Sequence, residues 1–160
     1  FRRVLFRSGV DTSDKALEHA TEHYGSGRAR FRPLAELHEE NNFDLCYVNG
    51  VFHHIEPAQR VAAVQSIQSA LRPGGYLALF ENNPWNPGTR LVMSRIPFDR
   101  DAIPLSIPEA RGLLRAGGFA GALRSWTLFY FPRPLAFLRQ SEGILSHLPL
   151  GAQYCVLAAK

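Results

Sequence analysis

Residues 43–80 constrain the fold more than any other stretch of the chain. Phe43-Asp44-Leu45-Cys46-Tyr47-Val48 is a near-continuous apolar run, the pattern of a parallel strand buried on both faces. Asn49-Gly50-Val51-Phe52-His53-His54-Ile55 reads as the loop that leaves it. Glu56-Pro57 then opens a helix to Leu71; proline is tolerated in a first turn because its missing donor is not needed there. Val61, Val64, Ile67 and Leu71 share one stripe of that helix. Pro73-Gly74-Gly75 stops it, and Tyr76-Leu77-Ala78-Leu79-Phe80 forms the next strand, ended by Glu81. Strand, amphipathic helix and strand in this order argue for a parallel sheet with helices on its faces.

The flanks extend the alternation. Gly9-Val10-Asp11 is a short apolar stub ending in an acid. Thr12 or Ser13 is the natural N-cap of a helix from Asp14 to Tyr24, which Gly25-Ser26-Gly27 ends. Ala29 to Leu37 reads as a strand and its exit, followed by a polar stretch through Asn42. Asn82 to Pro104 is a long excursion rich in turn formers, with one helical turn expected near Leu91 to Arg95. Ser106 caps a helix through Ala116, with Gly117-Gly118 past its end. Leu123 to Phe131 is a strand, Pro132 to Gly151 a proline-interrupted helical insert, and Tyr154 to Ala158 the last strand.

Composition narrows the function. The formal charge of +4 could suggest nucleic acid, but Arg2, Arg3 and Arg7 lie within residues 1–8; setting those three aside leaves +1. The octapeptide Phe1 to Ser8 resembles a translated sequencing-adapter end. Residues 1–8 are therefore expected to be a non-native leader, and 9–160 a partial domain. No nucleic-acid partner is expected. No apolar run approaches the roughly 20 residues of a membrane helix, and no signal peptide is recognisable. Cys46 and Cys155, both in apolar strand-like runs, read as buried free thiols, which fits a reducing cytoplasm.

Several residues could carry chemistry. Asp11, at the end of an early strand, could accept both hydroxyls of a ribose, or act as a loop or capping residue. At Asn49-Gly50-Val51, the glycine would let backbone approach a flat ring; the same residues also suit an ordinary turn. His53 or His54 could serve as a general base, or simply pack under the helix. Adjacent histidines on one turn point about 100° apart, and no Cys or carboxylate cluster stands at zinc spacing, so no metal is expected. Glu81, Asn82, Asn83 and Trp85 follow the strand ending at Phe80 and could orient an acceptor, or form an Asn-Pro turn ladder. Phe129-Tyr130-Phe131 reads as core.

Gly9-Val10-Asp11-Thr12-Ser13, Phe43-Asp44-Leu45, the "VFHHI" loop coupled through one helix to "LRPGG", and the closing Gly151-Ala152-Gln153-Tyr154 together resemble class I S-adenosylmethionine (SAM)-dependent methyltransferases. The "FENNPWNP" and "PFDRDA" segments look like a bacterial subset. The resemblance covers Gly9 to Lys160. It implies a Rossmann-like α/β sheet, mostly parallel, whose antiparallel last strand inserts between two others. It also implies that the first strand, its helix and its glycine-rich loop are lacking, so that these residues alone would be marginally stable and inactive. By resemblance, Asp11 holds the cofactor ribose, Thr12 and Ser13 line the adenosine side, and Leu34 and Ala35 flank the adenine. Asn49, Gly50 and Val51 form a wall beside the cofactor. His53 or His54 faces a small-molecule or lipid-like acceptor. Many relatives carry an Asp near Leu34; here the local acid is Glu36.

Two other functions fit parts of the pattern. A nicotinamide-dependent oxidoreductase also places an acid after its second strand, and a methyltransferase-like domain can persist as a non-catalytic binding module.

Overall fold

The computed structural model describes residues 6–37 and 41–160. Residues 1–5 of the expected leader and 38–40 of the polar stretch lie outside the described residues. The chain divides into two compact units, Phe1–Glu39 and Glu40–Lys160.

The first unit is one strand–helix–strand motif. Strands β1 (Arg7–Asp11) and β2 (Ala29–Pro33) run parallel, with Arg7 opposite Ala29 and Asp11 opposite Pro33. β1 thus takes in Arg7 and Ser8 from the segment read as leader. Helix α1 (Asp14–Tyr24) connects the strands, and its boundaries are those its sequence predicts. Ser13 is the N-cap, its hydroxyl accepting from the Ala16 amide at 3.4 Å.

The second unit holds the sheet β3 (Phe43–Asn49), β4 (Leu71–Asn82), β5 (Leu123–Leu128) and β6 (Gln153–Ala159) in the order β3-β4-β6-β5. β3 and β4 are parallel, while β6 runs antiparallel to both of its neighbours. This is the inserted last strand that the family resemblance implies. Among the described residues, no strand joins this sheet to the β1-β2 pair.

Helices α2 (Pro57–Ala70) and α4 (Ile107–Ala116) cover one face of the sheet. Their contact seals a core of Val64, Leu77, Leu79, Leu114, Phe119 and Val156, each 0% exposed. Each such side chain contributes roughly 1.5–3 kcal/mol of transfer free energy. The helices pack closely where Gly117 meets Val64: a Cβ there would lie 2.1 Å from Val64 Cγ1. α4 begins with a reciprocal cap. The Ser106 amide and hydroxyl donate to Glu109 Oε2 at 2.7 and 2.5 Å, as the Ser-x-x-Glu spacing favours.

Four expectations are corrected. β3 is not buried on both faces: Leu45 and Tyr47 are 54% and 62% exposed, and among the described residues β3 is the edge strand of its sheet. Its apolar composition reflects two chemically similar faces, of which only one meets the core. Pro73-Gly74-Gly75 does not end α2, which stops at Ala70. Those residues bulge within β4, whose pairing jumps from Phe43–Leu71 to Leu45–Tyr76. The helix in the long excursion is α3 (Pro87–Met93), earlier than the expected turn, because Asn86 caps it by accepting from the Thr89 amide at 2.9 Å. β5 ends at Leu128, and Phe129, expected in the core, is 59% exposed with φ at 60°. Helix α5 (Glu142–Leu145) follows a long 3-10 stretch, Arg133–Ser141. No helix among the described residues is long and apolar enough to cross a membrane.

Candidate active site

β3 delivers Asn49-Gly50-Val51 to the carboxyl end of the sheet, where open α/β folds place ligands. Gly50 adopts φ 65°, a left-handed conformation that glycine takes without steric cost. Its amide donates to Phe80 O at 2.9 Å, tying the turn to the end of β4. Next along β4, Glu81 is fully buried. Glu81 Oε1 accepts from the Val51 and Phe52 amides at 3.1 and 2.7 Å, and Oε2 bonds His53 Nδ1 at 2.5 Å. A buried carboxylate requires such partners, and here they are the turn itself.

His53 is 3% exposed and His54 26% by side chain. Their rings lie 4.2 Å apart rather than pointing away from each other as their adjacency suggests. Asp99, 10% exposed, meets both: its Oδ1 stands 3.8 Å from His53 Nε2 and 3.5 Å from His54 Nε2. Asp99 sits in the 3-10 turn Pro97–Asp99. That segment is tied down where the Ile103 amide donates to His53 O at 2.8 Å and Arg60 Nη2 donates to Ile103 O at 2.6 Å. Asp99 also lines a cavity of about 540 Å³ with Pro84, Arg90, Met93 and Arg100.

Glu81 and Asn83, expected to face the acceptor, are turned inward, both 0% exposed. Asn83 Nδ2 donates to Pro149 O and Gly151 O at 3.0 and 2.8 Å, and its Oδ1 accepts from the Trp85 amide at 3.1 Å. The local pattern shows polar residues after a strand; it does not show that backbone donors and acceptors elsewhere consume them. Asn82 is half-buried and accepts from Gln153 Nε2 at 3.3 Å, and Trp85 is 48% exposed. These two remain open to solvent.

The other site residues belong to the first unit. Asp11 ends β1, exposed, with Oδ1 accepting from the Ser13 amide at 2.9 Å. That bond leaves Oδ2 without a described hydrogen bond. Thr12 and Ser13 are exposed beside it, as are Leu34 and Ala35 in the 3-10 turn after β2. Asp99 and Arg60 were missed from sequence. Asp99 lies in a segment that carries family character without a local chemical signal, and Arg60 reads as one polar position of an amphipathic helix.

Residues 5–77 match the Methyltransferase domain family. A curated reducing polyketide synthase of Botryotinia fuckeliana is 29% identical over 97 residues, 56% of this chain; the chain spans only 4% of that protein's length. A SAM-dependent methyltransferase from Archaeoglobus fulgidus shares 13% identity, with a TM-score of 0.68 over 96% of this chain and 75% of its own. One from Thermotoga maritima shares 17%, with a TM-score of 0.70 over 96% and 72%. The 1,6-didemethyltoxoflavin-N1-methyltransferase of Burkholderia thailandensis, solved with 1,6-didemethyltoxoflavin and S-adenosylhomocysteine, shares 23%, with a TM-score of 0.58 over 96% and 60%. Residues 5–77 thus carry a methyltransferase-domain match, and the chain shares the fold of solved SAM-dependent methyltransferases.

Proposed function

We propose that this domain serves methyl transfer from SAM to a small-molecule acceptor. The observation that carries the reading is the Asn49-Gly50-Val51 turn, held at the sheet's carboxyl end by Glu81. Its glycine presents bare backbone, which suits the close approach of a flat ring. Within the first unit, Asp11 Oδ2 by itself suits a ribose hydroxyl. Bound SAM supplies a sulfonium-activated methyl carbon. The residues of this chain then need only hold the acceptor in line with it. His53 is too buried to touch an acceptor and acts as a positioning residue for the turn. His54 and Asp99 are the polar groups placed to meet one, and His54 can take a proton from a hydroxyl or ammonium acceptor. Trp85 and the arginine-lined cavity beside Asp99 supply an aromatic face and positive charge, which suit a small planar or anionic acceptor. A bacterial, cytoplasmic setting without nucleic-acid partners belongs to the same reading.

In the protein carrying this domain, His54→Ala should lower kcat while leaving the KM for SAM unchanged. Unchanged turnover would remove His54 from the chemistry. The exposed Leu45, Tyr47 and Tyr76 on one face of the sheet support a second part of the proposal: the 160-residue chain alone binds SAM weakly and is inactive. Isothermal titration that found micromolar affinity would overturn that part.

A further inference from the structure

We propose that His53, His54 and Asp99 form a site for a divalent transition metal of the zinc class. The three facing atoms are His53 Nε2, His54 Nε2 and Asp99 Oδ1. Both nitrogen-to-oxygen distances, 3.8 and 3.5 Å, exceed the roughly 3.2 Å limit of an N–H···O hydrogen bond. At these separations neither imidazole makes a direct hydrogen bond to Asp99. A tetrahedral zinc with bonds of about 2.0–2.2 Å separates its ligand atoms by roughly 3.3–3.6 Å, close to what is seen. All three donor atoms lie within 4.8 Å of one another.

The surroundings are those of a metal-binding histidine. Glu81 Oε2 engages His53 Nδ1 at 2.5 Å, which fixes the ring and leaves its Nε2 lone pair for a metal. A carboxylate behind the coordinating imidazole is the usual partner in such sites. Asp99 is only 10% exposed, and among the described residues its carboxylate makes no hydrogen bond, only the two imidazole contacts. A carboxylate so placed calls for a cation. The anchoring of Ile103 to His53 and Arg60 holds Asp99 in place beforehand. Two nitrogens and one oxygen suit zinc, cobalt or iron(II) rather than the all-oxygen shells of magnesium or calcium. The third ligand comes from a distant turn, which no local spacing in the sequence reveals. With three protein ligands, a fourth position is left, and Asp99 borders the cavity. There the metal would bind an acceptor oxygen and promote its deprotonation, in place of proton removal by His54.

Metal binding is read without methyl transfer, so it stands or falls apart from the proposed function. Chelator-stripped protein should take up one equivalent of zinc or cobalt, measured by elemental analysis after dialysis, and cobalt should give visible d–d bands. Asp99→Asn and His54→Gln should each weaken zinc binding by at least about tenfold. The double variant His19→Ala/His23→Ala, which removes a stacked histidine pair on α1, should bind as before. Zinc should also shift the imidazole NMR signals of His53 and His54 in the unaltered protein, a readout that does not depend on the variants folding. Absence of stoichiometric uptake, unshifted signals from these rings, or loss of binding only on removing His19 and His23 would overturn the proposal and leave an ordinary His54–Asp99 ion pair.

Discussion

The Glu81 carboxylate and the His53 imidazole meet at 2.5 Å with side-chain exposures of 0% and 3%. That pair converts the end of β4 into a bracket for the turn after β3. Glu81→Ala would orphan the Val51 and Phe52 amides and His53 Nδ1 together. The expected cost is about 3–5 kcal/mol, as for other buried groups stripped of a charged partner, read by urea denaturation. Glu81→Gln keeps one acceptor oxygen for the two amides and should cost less. A loss below about 1 kcal/mol for the alanine variant would show that the turn holds without the bracket.

Gly50→Ala separates conformational strain from crowding. A Cβ at Gly50 would meet only His53 Cε1 at 3.6 Å, an ordinary contact. The cost therefore comes from φ 65°, about 1–2 kcal/mol for an L-residue there. Asn tolerates that conformation better, so Gly50→Asn should recover stability. If the turn is the cofactor wall, both variants lose SAM affinity in the protein carrying this domain, because both add a side chain where backbone must approach the ring.

The cap of α4 makes stability depend on acidity. The Ser106 hydroxyl, above all, holds the Glu109 carboxyl below its ordinary value of 4.5. A carboxyl whose folded value is depressed stabilises the fold above the unfolded value and loses that contribution as pH falls. Ser106→Ala should cost about 1 kcal/mol near neutrality. It should also flatten the fall in Tm expected of the unaltered protein between pH 5 and pH 3.

Cys155 is 1% exposed, and burial pushes its thiol up to about 11 from 9.0. Burial pushes Cys46 up as well. Neither thiol should react readily with an aromatic disulfide reagent at pH 8 until the protein is denatured. A raised thiol favours the fold fully below the unfolded value. That contribution is lost as pH rises from about 9 through about 11, so Cys155→Ser should reduce the alkaline loss in a pH-resolved melt. Rapid native labelling of Cys155 would contradict the burial.

What could be read from sequence was what local chemistry decides. Ser13 and Ser106 announce their helices because capping depends on a few neighbouring residues, and the order of strands and helices follows from periodicity. The antiparallel last strand came from family resemblance, since no local pattern reports pairing direction. Burial of polar side chains was not legible. Glu81 and Asn83 look like residues aimed at a ligand until the amides of Val51 and Phe52 and the carbonyls of Pro149 and Gly151 are seen to occupy them. Asp99 was equally hidden, because its approach to His53 and His54 depends on the path of the whole segment between α3 and α4. The exposure of Leu45 and Tyr47 depends on what lies beside β3, which an apolar run cannot specify.

β6 pairs with β4 on one side and β5 on the other, and β5 pairs with no other described strand. Its partners therefore wait for it: Tyr76 pairs with Ala159 and Leu123 with Ala158, across long stretches of chain. Contacts so distant in sequence form slowly. A nascent or proteolytically clipped polypeptide that lacks Gln153–Ala159 would carry β5 with nothing to zip against, leaving α4 leashed to an undocked ribbon. The timing of this unit's assembly is set by its last strand.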